Sequence, residues 1–131
     1  MGKTKRLGKL PENVALTEPS PLVEAVINGI KEKKGKDIVV MNLKATGSSL
    51  ADYFVVCHGD SRTQVSALAD SVEETVIKFK GEKPAFKEGH SNAEWILLDY
   101  INVVVHIFQK EQREFYGIER FWADAETRNI I

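Results

Sequence analysis

The chain has 131 residues, 43% hydrophobic and 28% charged, enough for one domain burying roughly two-thirds of the surface its unfolded form exposes. That aliphatic content excludes disorder throughout, the single cysteine Cys57 excludes an internal disulfide, and no 18-residue apolar run is present to span a membrane. The formal charge of −1 conceals an asymmetry: residues 1–10 carry four basic groups, leaving 14 Lys+Arg against 19 Asp+Glu elsewhere. Such an acidic body is a poor general nucleic-acid binder and suits a basic protein partner better.

Residues 1–19 hold Pro11 and Pro19 without sustained periodicity and read as a flexible basic tail. Ser20 caps a first helix, Pro21 fits its first turn, and Leu22, Val23, Val26, Ile27 and Ile30 give it one apolar face before Lys33-Lys34-Gly35 closes it. Asp37–Leu43 and Asp52–His58 read as strands rich in Val and Ile, joined by the short polar loop 44–51. A second helix opens on the capping box Ser61/Gln64 and runs as the stripe Val65, Leu68, Ala69, Val72, Val76, Phe79 up to Gly81. A short strand is expected at Ala85-Phe86-Lys87, followed by a turn at Glu88-Gly89.

Glu94 to Phe108 then forms a hairpin turning at Asp99-Tyr100-Ile101-Asn102. Its arms are apolar at consecutive positions, so both faces are expected to be covered, in the middle of a sheet. A last helix from about Glu111 is expected to bury Phe115, Ile118, Phe121 and Trp122, with the chain fraying from Asp124. The strand-helix-strand crossover implies parallel pairing and the tight connections imply antiparallel pairs. The expectation is an α/β domain over residues 20–125 with a mixed five-stranded sheet flanked by helices, and a C-terminal tail at 126–131.

Motifs for catalysis are incomplete. Gly47-Ser48-Ser49 before Asp52 suggests a nucleotidyltransferase, but the second metal-binding carboxylate position holds Phe54. His58-Gly59-Asp60-Ser61 precedes a helix as phosphate loops do, yet it has one glycine, no Walker lysine, and Asp60 to repel an anion. Cys57 and His58, neighbours on a strand, point to opposite faces, so that with Asp60 they make no metal site, there is no second zinc-spaced pair, and Cys57 reads as packing rather than as a nucleophile. No cofactor, metal or enzymatic activity is expected, and binding is the reading that remains.

The segments DYFVVCHGDSRTQVSALADSVEE, Glu88-Gly89 and EWILLDYINVVVHIFQKEQREFYGIERFWADA closely resemble the ribosomal silencing factors, or Iojap family, over about residues 20 to 125. The resemblance implies a mixed α/β fold related to nucleotidyltransferases without their active site. It also implies a translational repressor that binds the large ribosomal subunit through its fourteenth protein and blocks joining to the small subunit, and the single cysteine Cys57 fits a reducing, cytoplasmic compartment. Trp95, Asp99, Tyr100, His106, Arg113 and Tyr116 are the residues expected to form or border the contact, because aromatic and Arg anchors dominate interfaces. The basic tail is expected to touch rRNA phosphate, and the apolar hairpin to favour a homodimer in isolation. The family usually turns this hairpin with Gly-Asp, whereas here Ile101-Asn102 stands; Asn tolerates the left-handed conformation and Ile does not. Two other readings stay open: a large-subunit assembly factor, and a degenerate nucleotidyltransferase that still binds a nucleotide.

Overall fold

A computed structural model describes residues 20–48 and 50–131, so the expected tail at 1–19 lies outside the described residues. Two long helices form as their caps dictate. In α1 (Pro21–Glu32) the Ser20 hydroxyl accepts from the Val23 N–H, and in α2 (Arg62–Lys80) the Ser61 hydroxyl accepts from the Gln64 N–H at 3.1 Å. Gln64 does not complete a standard capping box: its Oε1 accepts from the Asp60 N–H, and its Nε2 donates to the carbonyls of Lys33 and Lys34, tying the start of α2 to the end of α1. Phe79, placed by periodicity on the buried stripe of α2, is exposed in its last turn, one residue from its end.

The strands are β1 (Lys36–Asn42), β2 (Tyr53–Gly59), β3 (Phe86–Glu88), β4 (Trp95–Asp99), β5 (Val103–Gln109) and β6 (Glu126–Asn129). They form one sheet in the order β3-β4-β5-β2-β1-β6, parallel between β2 and β5 and antiparallel elsewhere. The sheet thus has six strands, one more than expected. The extra strand comes from residues read as a tail: Glu126–Asn129 pair with Asn42–Val39, so this segment is part of the fold.

The α1 and α2 pair covers one face of the sheet, over Val26, Ile30, Val40, Val55, Leu68, Val72, Val105 and Ile107. The helices approach closely at Gly29, where an added Cβ would lie 2.8 Å from the Val72 Cα, and the Ser71 hydroxyl donates to the Gly29 carbonyl at 2.7 Å. The opposite face carries a smaller core of Met41, Leu43, Phe54, Val56, Val104 and Phe108. Two short helices, α3 (Lys110–Tyr116) and α4 (Ile118–Phe121), follow β5, where one helix was expected. They meet at Gly117, whose φ of 55° places it in the left-handed region. The break turns Phe115 and Phe121 outward, at 77% and 80% exposure, leaving Ile118 and Trp122 as the half-buried contacts.

Candidate partner-binding face

Strand parity decides which side chains share a surface, because directly paired residues point the same way. Across the sheet, Phe86 pairs with Asp99, Asp99 with Val104, and Val104 with Phe54; one register step along, Leu97 pairs with His106, and further on Trp95 pairs with Phe108. Phe86, Asp99, Leu97 and Trp95 therefore lie on the face opposite α1 and α2. In β4 this face is only half-buried at Trp95, Leu97 and Asp99, so the expectation of full cover on both sides holds for β5 and not for β4.

The rings on this face form an unbroken series. Phe115 meets Tyr116 at 5.1 Å between centroids, Tyr116 meets Trp95 at 4.8 Å, and Trp95 stacks on Phe108 at 4.8 Å. His106 packs edge-on to Phe54 at 4.6 Å, Phe54 meets Trp122 at 6.1 Å, and Trp122 meets Phe121 at 5.4 Å. Both ends of the series, with Phe86 at the sheet edge, are open to solvent. A hollow of about 210 Å³ lies beside Trp95, lined by Glu88, Gly89 and Leu97.

Trp95 is fixed from below. Its Nε1–H donates to His106 Nδ1 at 3.1 Å, so the imidazole carries its own proton on Nε2, which is buried and without a hydrogen-bond partner. Burial pushes the His106 pKa down to about 4, keeping the ring neutral and able to accept from Trp95. His106 thus lies under the face rather than on it.

The other expected contact residues separate. Asp99 is half-buried on this face and is occupied locally, its Oδ1 accepting from the Ile101 N–H at 2.8 Å. Tyr116 is exposed on it. Tyr100, five residues from Trp95 and therefore of opposite parity, is 6% exposed in the core beneath α1 and α2, and its hydroxyl has no partner. Burial raises that phenol's pKa.

Arg113 is 9% exposed and turns inward. Its Nε and Nη2 donate to the two carboxylate oxygens of Glu119 at 2.9 Å each, and its Nη1 donates to His58 Nδ1 at 2.9 Å and to the Lys36 carbonyl at 3.4 Å. The hydrogen bonds from Arg113 hold the Glu119 carboxyl below its ordinary pKa. Burial, with Arg113 beside it, does the same for the His58 imidazole. A cleft of about 720 Å³ borders this group between α3, α4, β1 and β6.

Phe86, Leu97, Phe115 and Phe121 join the face without having been expected there from sequence, Phe115 and Phe121 having been read as buried. Counting parity back from Trp95 finds Leu97. The two phenylalanines of α3 and α4 needed the break at Gly117 to be known. Among the described residues no cluster of His, Cys, Asp and Glu could hold a metal ion, and no helix is long and apolar enough to cross a membrane.

The family model described as "Ribosomal silencing factor during starvation" matches residues 16–130. The chain belongs to this family. Its silencing-factor relatives include the ribosomal silencing factor RsfS of Halalkalibacterium halodurans, 38% identical over 106 residues that cover 81% of this chain and 89% of the relative. The RsfS of Bacillus subtilis is 37% identical, covering 76% and 82%. Among solved structures, a Chromobacterium violaceum protein superposes with a TM-score of 0.74 at 34% identity, covering 78% of this chain and 83% of that one. A Bacillus halodurans protein gives 0.72 at 33% identity, covering 83% and 97%. The silencing-factor match extends past Phe121 through β6, in agreement with the sixth strand belonging to the domain.

Proposed function

We propose that this protein is a ribosome-binding repressor of translation, which docks on the large ribosomal subunit through its fourteenth protein and blocks joining of the small subunit. The observation that carries the reading is the uncovered aromatic face. Tyr116, Phe86, Phe115 and Phe121 place large apolar side chains in solvent on the same face as half-buried Trp95, beside a well-packed core. A soluble monomer gains nothing from such a patch, whereas a partner surface does, because rigid aromatic anchors supply most of the binding energy at interfaces. The acidic balance of residues 11–131 favours a basic partner lying among rRNA. Repression then needs no chemistry: a folded domain fixed on the subunit interface excludes the other subunit by volume.

On this reading Trp95 and Tyr116 are the anchors, Asp99 and Phe86 border them, and His106 holds Trp95 at its angle. The same face accounts for self-association of the free protein as a dimer, and residues 1–19 supply the rRNA contact. The work is done in the cytoplasm, without a cofactor.

The test is sedimentation of separated subunits, at magnesium that permits joining, with and without excess protein. Co-migration with the large subunit and a smaller joined-ribosome peak are expected, and Trp95→Ala should lose both. Protein that stays at the top of the gradient while joining proceeds sinks the reading. A thermal-shift screen with nucleotides and magnesium then tests the nucleotide-binding alternative. Precursors of the large subunit accumulating on depletion, with joining unaffected, would favour the assembly role.

A further inference from the structure

Arg113 has the composition of an interface anchor and the position of an internal one. Its guanidinium joins four elements: Glu119 in α4, His58 in β2 and Lys36 in β1 all bond to a side chain that belongs to α3. The two helices so joined are seven and four residues long, too short to hold a shape unaided. They meet at Gly117, whose φ of 55° lies in the left-handed region that favours glycine, so the joint is set by its backbone. Each helix sets one ring directly against the sheet, Tyr116 from α3 onto Trp95 and Trp122, just after α4, onto Phe54.

We propose that Arg113 is a positioning residue for the docking face. By clamping α3 and α4 to the sheet from behind, it sets the angle at which Tyr116 meets Trp95 and Trp122 meets Phe54. The partner then meets a preformed surface rather than two loose turns, and less order has to be imposed on binding. The proposal rests on the docking reading above and adds to it a residue that touches no partner.

The chemistry of the clamp is specific to arginine. A planar fork gives two parallel bonds to one carboxylate and leaves a third nitrogen for the histidine, whereas a lysine ammonium offers one nitrogen on a flexible stem. The histidine must be neutral to accept, and the charges around it come from Asp37 in β1, Asp60 after β2, and Lys110 and Arg113 in α3. Glu119 is the one carboxylate paired with Arg113 among the described residues.

The test compares Arg113→Lys and Glu119→Gln with Trp95→Ala and the wild type, all in the full chain, for binding to purified large subunits at a temperature where circular dichroism shows each variant folded. Both clamp variants are expected to bind tenfold or more weakly. In a Trp122→Phe background, which leaves Trp95 as the sole tryptophan, Arg113→Lys is expected to shift the emission to the red and raise acrylamide quenching. A purely structural Arg113 lowers the melting temperature but leaves the folded protein's binding and Trp95 emission at wild-type values, and that result overturns the proposal. If Arg113→Lys does not fold, Glu119→Gln decides by the same two readouts. A wild-type chain that does not bind the subunit overturns the docking reading and the proposal with it. Binding by wild type and both clamp variants, lost only in Trp95→Ala, overturns the positioning claim alone.

Discussion

The two faces of the sheet are finished to different standards. Under α1 and α2, residues such as Val26, Leu68, Val55 and Ile107 are fully buried, and the helices touch backbone to backbone at Gly29. On the other face two short helices cover part of the surface and leave Phe115, Tyr116, Phe121 and Phe86 in solvent. The first face holds the fold, and on the docking reading proposed above the second is completed by a partner. A domain needs only enough buried area on one side of a sheet to be stable, which releases the other for binding.

That division can be broken or sharpened experimentally. Leu68→Ala is expected to lower unfolding stability by about 3 kcal/mol, the ordinary consequence of removing a fully buried leucine, read in a urea titration. Subunit binding by the folded protein should stay within about twofold of wild type. Loss of binding while folded would dissolve the separation between the faces.

Acid should act mainly through the second face. The folded state keeps His106 neutral down to about pH 4, whereas in the unfolded chain the imidazole takes up its proton near pH 6.5. Stability is therefore full above pH 6.5, falls as pH drops from there toward 4, and levels off below as far as this group is concerned. The loss across that window is roughly 3 kcal/mol, and His106→Gln should flatten most of the slope. His58, also depressed, contributes to the same window in the same direction.

Tyr116→Ala should do the reverse of Leu68→Ala. Half exposed, it should cost under about 1 kcal/mol of stability, but subunit binding should weaken about tenfold or more. The smallest effect is expected at the hairpin. Ile101 sits at φ 76°, a left-handed conformation that a β-branched residue adopts only under strain, and its side chain is exposed. Ile101→Gly should raise stability by about 1 kcal/mol in the same titration; a neutral or destabilising result would place the strain elsewhere.

The sequence carried most of the fold because its signals were local. Caps at Ser20 and Ser61, strands of Val and Ile, and the turn at Asp99–Asn102 are each written in a few adjacent residues. The misses are non-local. Strand β6 reads Glu-Thr-Arg-Asn, polar because it lies at an edge, and only its pairing with β1 makes it a strand. Arg113 is internal because Glu119, His58 and Lys36 converge on it from six, 55 and 77 residues away, and no spacing rule announces that. Tyr100 could have been separated from Trp95 by odd-even counting along the strand. Phe115 and Phe121 were read as buried because apolar periodicity assumes that every ring finds cover within its own chain. The turn residue Ile101 takes the left-handed conformation that Asn102 was better suited to take.

The one cysteine, Cys57, lies wholly buried in β2 against the α1 and α2 face, with burial pushing its thiol up to about 12. A thiol that is neither ionised nor reachable does not react with alkylating reagents while the sheet is intact. Its modification rate therefore counts openings of the central strands under α1 and α2, because Cys57 faces that side and α3 and α4 pack on the other. The chain thus carries a native chemical timer for the life of its folded state, readable by mass without adding any label to the aromatic face.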